Sequence, residues 1–229
     1  MIKTSGVVIT LGGTMSNFAD THYLKDYFDE YNQLRESVYQ GVKDNSSVII
    51  YQVNSNWRRV SCLLQEIERP TECIGVGFVG SLRENLVCGQ LVVPDIAVNK
   101  KSIPGGIGKA NQDLVERVRE RSLCQISQPI SGKIYTVDSL ADENTKLVSR
   151  LKSEKYLGID MESSYLMSYY SKKSIPCAVL LVVSDNIIIN PLNLKNESRG
   201  LPLTLKIENT AKKAIIVACE TLLKNKLKA

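Results

Sequence analysis

The chain has 229 residues, of which 43% are hydrophobic and 23% charged, with a formal net charge of +5. That length buries a core without disulfides or metals to hold it, and the composition excludes wholesale disorder. No apolar run approaches the ~18 residues of a membrane span. The mild basicity, spread as pairs such as Lys100-Lys101 and Lys172-Lys173, suits anionic small molecules and gives no reason to expect nucleic acid.

In chain order, Gly6 to Leu11 is a β-branched run ending at Gly12-Gly13, which predicts a buried strand and a turn. The apolar segment after Lys3 is too short for a signal-peptide core and no small-residue cleavage site follows, so a cytoplasmic location is expected. Asn17 to Tyr31 is aromatic-rich and reads as helix. Val48 to Val53 reads as strand, and Trp57 to Glu68 as a helix stopped by Pro70. Cys73 to Val79 is a strand threaded with glycines, and Leu91 to Val93 a strand ending at Pro94. Asn111 to Arg121 reads as a charged helix. Leu123 to Ile126 and Lys133 to Val137 read as strands, while Ala141 to Lys152 and Met161 to Lys172 read as helices. Ala178 to Val183 has the composition of a fully buried strand. Asn186 to Pro202 reads as a long polar loop of the kind that forms lids. From Leu205 onward apolar residues recur at helical spacing.

Strands alternating with helices, with no repeat or linker, predict an α/β fold in a single domain over residues 1–229, its central mixed twisted sheet flanked by helices. Ligands of such sheets bind beyond the carboxyl ends of the strands. Six cysteines form no Cys-x-x-Cys pair, and the lone histidine, His22, has none nearby. No metal site is therefore expected, and the cysteines read as small core residues of a reducing compartment.

Three constellations could carry chemistry. Gly158 to Ser164 (Gly-Ile-Asp-Met-Glu-Ser-Ser) opens a helix, where Asp160 and Glu162 suit a cap and the helix dipole. Ser184-Asp185-Asn186 follows the buried strand and consists of turn formers. Gly77 to Leu82 is a glycine loop able either to turn or to cradle a ligand.

Taken together and in order, these segments resemble the nucleoside phosphorylase family: purine nucleoside and uridine phosphorylases, with the methylthioadenosine/S-adenosylhomocysteine nucleosidases. The resemblance runs from Val7 to Gly13 through Tyr39-Gln-Gly41, Ile74 to Leu82, Cys88 to Asp95 and Tyr135 to Leu140 to Ile159-Asp-Met-Glu-Ser-Ser164. Ile175-Pro176, the buried strand and Ser184-Asp185 follow. It implies cleavage of the N-glycosidic bond of a nucleoside. Phosphorolysis of a purine nucleoside to free base and ribose 1-phosphate is the first expectation. The alternatives are a hydrolytic nucleosidase of the methylthioadenosine type and a catalytically weakened nucleoside-binding member.

Under this resemblance Glu162 accepts hydrogen bonds from the ribose hydroxyls, with Met161 against the sugar. Asp185 is the catalytic acid or hydrogen-bond partner of the base. Phe78, Leu140 and Ile159 form the base wall or, equally, ordinary core. Inorganic phosphate is the co-substrate of a phosphorylase, and here the usual Gly-Asp-Pro-x-Arg pattern is replaced by Gly12-Gly-Thr-Met-Ser16. Gly13, Arg58 and Arg59 are the phosphate candidates, the two arginines otherwise being surface charges. Arg35 and Arg83 are further cations without a matching position. No acid stands in Thr14 to Ala19, where the nucleosidases place a water-activating glutamate. His22 is a cross-subunit ribose contact or an ordinary exposed residue. The partners implied are a nucleoside and further copies of the chain, as a dimer or hexamer, with neither nucleic acid nor membrane, and no organic cofactor is implied.

Overall fold

A computed structural model describes residues 3–12, 15, 22–53, 57–67, 69–99, 106–188 and 205–223. Strand β1 (Lys3–Leu11) runs parallel to β4 (Ser46–Val53) on one side and to the first half of β5 (Cys73–Ser81) on the other. β5 is parallel along its length to β10 (Cys177–Asn186) and, at Gly80-Ser81, antiparallel to the short β9 (Gly158–Asp160). β9 pairs with β8 (Ile130–Thr136), β8 with β6 (Leu91–Asn99), and β6 with β10. β5, β9, β8, β6 and β10 thus close into a ring. From β1 the sheet continues outward through β4 and β3 (Val38–Lys43) to β2 (Glu30–Arg35), while β7 (Gly108–Lys109) extends β6. Edge strand β2 is polar and largely exposed, which discourages pairing with a further chain.

Helices cover this mixed sheet. They are α1 (His22–Tyr27), α2 (Trp57–Glu66), α3 (Gln112–Gln125), α4 (Thr145–Ser153), α5 (Ser163–Lys172) and α6 (Leu205–Leu223). α3 and α6 pack together and on β10, and α5 packs on β6, β7 and β10. β10 is buried without interruption from Cys177 to Val183, as a strand covered on both faces must be. Below the end of β9 a smaller apolar cluster of Leu82, Tyr135, Val137, Leu151, Tyr156 and Ile159 supports the segment that carries Met161.

Several expectations are corrected. Asn17 to Tyr31 is helical, among its described residues, only over α1. Glu30 and Tyr31 begin β2, because Tyr31 stacks between Phe28 and Tyr39 and the β2–β3 hairpin claims its backbone. The β3–β4 hairpin turns at Asp44 and Asn45, both at positive φ, the conformation a two-residue hairpin loop requires. The strand from Leu91 passes through Pro94. The register shifts between Pro94 and Ile96, a bulge of the kind that admits proline within a strand. Leu123 to Gln125 end α3 instead of forming a strand, and Leu123 is exposed. Ala141 to Lys152 divides into a one-turn 3₁₀ helix (Leu140–Asp142) and α4, because Asn144 accepts a bond from the Leu147 N–H and starts a new helix. Of the long loop, Asn186 belongs to β10, residues 187–188 form a turn, and 189–204 lie outside the described residues.

Candidate active site

Because β1, β5 and β10 are parallel, their carboxyl ends reach the same edge of the sheet. There a cavity of about 190 Å³ is lined by Leu11 and Gly12 of β1's end, Phe78 to Gly80 of β5, Ile159 to Glu162 from β9, and Ser184 and Asp185 of β10. Leu140 and Glu143 complete the lining from the 3₁₀ turn after β8. Two local features produce this convergence. Gly12 stands at φ +84°, a left-handed turn that costs glycine nothing. In β10 the register shifts between Val183 and Asp185, a bulge at Ser184 that redirects the side chains beside the cavity.

Asp160 is buried and both its oxygens are engaged. Oδ1 accepts from the Thr136 hydroxyl at 2.7 Å and Oδ2 from the Ser163 N–H at 2.8 Å. The Ser164 N–H in turn donates to Thr136 Oγ1 at 3.1 Å. Asp160 therefore ties the start of α5 to β8 and fixes the Met161-Glu162 turn between them. Burial still pushes its carboxyl above the usual range, against the lowering effect of these bonds. Glu162 is 8% exposed, and burial, followed by the neighbouring Asp160 charge, raises its carboxyl well above the ordinary value.

The Ser184 hydroxyl donates to Asp185 Oδ1 at 2.7 Å, which orients the carboxylate. The next residue is structural: Asn186 donates through Nδ2 to the carbonyls of Arg83 and Leu86, at 2.8 and 3.1 Å, pinning the end of β10. Of the sequence-derived candidates, Phe78, Leu140, Ile159, Met161, Glu162 and Asp185 meet in this one cavity.

The cations lie elsewhere among the described residues. Arg58 pairs with Asp138 at 2.9 Å and Arg59 is exposed; neither lines the cavity. Arg35 pairs with Glu66 at 3.0 Å, and Arg83 donates to the carbonyls of Lys155 and Tyr156 ahead of β9. Gly13 lies outside the described residues. His22 opens α1, and its side chain lies outside the described set.

The sequence reading missed Glu143. Inside an expected helix it resembled a surface charge, whereas it caps the 3₁₀ turn and is 4% exposed. The signal available was Ser139-x-x-Asp142, a capping box that marks a separate short turn. Asp160 and Glu162 share the segment from the end of β9 to the start of α5, while Glu143 and Asp185 enter from the turn after β8 and from β10. Among the described residues no group of three or more His, Cys, Asp or Glu is placed to hold a metal ion. No helix of the described residues is long and apolar enough to cross a membrane.

A sequence profile of the phosphorylase superfamily matches residues 11–218. Among solved structures, uridine phosphorylase from Vibrio fischeri ES114 superposes with a TM-score of 0.77 at 20% identity, covering 95% of this chain and 91% of that one. MTAN from Helicobacter pylori superposes with a TM-score of 0.71 at 16% identity, covering 94% and 97%. At such identities the likeness is one of fold. No curated protein sequence matches the chain significantly. The profile spans most of the chain and includes the ends of β1, β5, β9 and β10 that build the cavity, so the protein belongs to the phosphorylase superfamily.

Proposed function

We propose that the protein cleaves the N-glycosidic bond of a purine nucleoside and releases the free base. One observation carries this reading: Glu162 and Asp185 line one cavity with an apolar wall of Phe78, Leu140 and Ile159. A nucleoside has matching parts. Its planar base has apolar faces, its ribose offers two adjacent hydroxyls, and its leaving nitrogen needs a proton. The base lies along the apolar wall. The ribose hydroxyls donate to the two oxygens of Glu162, with Met161 against the sugar. As the bond from C1′ to nitrogen breaks, positive charge develops on the ribose and the Glu162 carboxylate stabilises it. Asp185, held by Ser184, donates a proton to the departing base.

The nucleophile is phosphate on the superfamily reading: one phosphate oxygen bonds C1′ as the base leaves, giving ribose 1-phosphate. Hydrolysis is the second reading, because the described lining carries four carboxylates and Arg58 is committed to Asp138 outside it. A phosphate dianion is repelled by such a lining unless a cation joins it, whereas water is not.

Base release from adenosine, inosine, guanosine, uridine and methylthioadenosine, measured by chromatography with and without phosphate, tests both readings. Phosphate-dependent release that drops at least about 100-fold in Asp185→Asn supports phosphorolysis with Asp185 as acid. Release independent of phosphate supports hydrolysis. Absence of release from every nucleoside by folded protein overturns both.

A further inference from the structure

Glu162 holds the N-cap position of α5, its carbonyl accepting the Leu166 N–H at 3.1 Å. The side chain at that position ordinarily turns back onto the helix and accepts the N–H of its second or third residue. Glu162 makes no such bond. Two buried side chains take over the task. Asp160 Oδ2 accepts the Ser163 N–H at 2.8 Å, and Thr136 Oγ1, reaching across from β8, accepts the Ser164 N–H at 3.1 Å. Ser164 is the second residue of α5, so Thr136 occupies the donor that a capping Glu162 would claim. The same hydroxyl donates to Asp160 Oδ1 at 2.7 Å. A hydroxyl can donate and accept at once, and this one does both. Thr136, Asp160 and Ser164 are all buried, so an N–H left there without an acceptor carries its full desolvation cost.

We propose that Thr136 is a positioning residue: by capping α5 in place of Glu162, it leaves the Glu162 carboxylate turned into the cavity for the ribose hydroxyls. The proposal deepens the reading of Glu162 as the ribose contact, and rests on it. The backbone around Thr136 does not depend on the hydroxyl. Tyr135 and Thr136 pair in register with Ile159 and Asp160, and the Val137 N–H donates to the Asp160 carbonyl at 2.8 Å. Thr136→Val keeps the shape of the side chain and leaves these bonds in place. It strands the Ser164 N–H and one oxygen of Asp160. The Glu162 carboxylate, standing at the N-cap, then turns back to accept the Ser164 N–H and leaves the cavity. Thr136→Ser restores both bonds.

The test compares kcat/KM for a ribonucleoside and its 2′-deoxy counterpart in the wild type, Thr136→Val and Thr136→Ser, with a melting curve for each protein. Thr136→Ala, which deletes the same hydroxyl, replaces the valine variant if that one does not fold. The 2′ hydroxyl is one of the two groups placed on Glu162, so its removal deletes one charge-assisted bond, about 10-fold or more in kcat/KM. Wild type and Thr136→Ser are expected to prefer the ribonucleoside by that factor. Thr136→Val is expected to lose roughly 100-fold on the ribonucleoside, with the preference shrinking to within about threefold. A merely structural role lowers both substrates by one factor. An equal loss on both therefore overturns the proposal, as does no loss on either. Crystal structures of wild type and Thr136→Val read the position of the carboxylate without any activity. A Glu162 carboxylate moved by about 1 Å or more toward the Ser164 N–H supports the role of Thr136, even where no nucleoside is cleaved and the cleavage reading fails. A carboxylate that stays in the cavity overturns it.

Discussion

Replacing Glu162 by Gln is expected to stabilise the fold while disabling the site. Glu162 is buried, and both burial and the Asp160 charge hold its carboxyl well above the ordinary value. A carboxyl whose folded-state pKa is raised binds its proton more readily in the folded than in the unfolded chain. Stability is then complete below the unfolded pKa and declines as pH rises through the folded one. At neutral and alkaline pH, removing the charge relieves a desolvation cost of about 1–3 kcal/mol. For a domain of this size that raises the melting temperature by about 2–12 °C. At pH 4 both states carry the proton and the gain vanishes. Catalysis moves the other way. Two charge-assisted bonds to the ribose become neutral ones, a loss of about 3 kcal/mol, or roughly 100-fold in kcat/KM. Melting curves of wild type and variant at pH 4 and pH 8, paired with base-release rates, measure both effects. A variant that melts below the wild type at pH 8, or gains equally at both pH values, refutes the reasoning about Glu162's burial.

Two further outcomes follow from the geometry. A Cβ at Gly158 would stand 2.5 Å from Val79 Cγ2 and 2.6 Å from the Gly80 carbonyl oxygen, so Gly158→Ala has to push β9 away from β5. A loss of about 1–3 kcal/mol in urea unfolding is expected, with activity falling by more than the folded fraction does, because β9 carries the Glu162 turn; an unchanged midpoint refutes the close approach. Arg58 and Asp138 form a pair whose side chains are 58% and 22% exposed, so Arg58→Ala is expected to change stability by less than about 1 kcal/mol. Its KM for phosphate is expected to stay within about threefold, which is under 1 kcal/mol; a rise of tenfold or more would assign Arg58 to the anion site.

The features written in local pattern were legible in the chain itself. The apolar run of β10 and the helical spacing of α6 report their own structure, because burial on two faces or one is imposed residue by residue on composition. That Glu162 and Asp185 belong together was legible only from the order of the motifs along the chain, since each motif alone reads as a cap or a turn; the structure brings both to one cavity. What the tertiary structure alone decided depends on residues far apart in the chain. Asp160 reads as a helix cap, and it does accept the Ser163 N–H at the start of α5. Its bond to Thr136, however, makes it a tie between β8 and α5, and its charge acts on Glu162. Arg58 reads as a surface charge or a phosphate ligand until Asp138, eighty positions away, takes its guanidinium. Glu143 looks like any acid in a polar stretch until the turn after β8 folds it beside Leu140. Periodicity and capping act over a few residues and are carried by the sequence. Which side chains share a cavity, and how far burial and neighbouring charge shift their carboxyls, is set by which strand ends the sheet brings together.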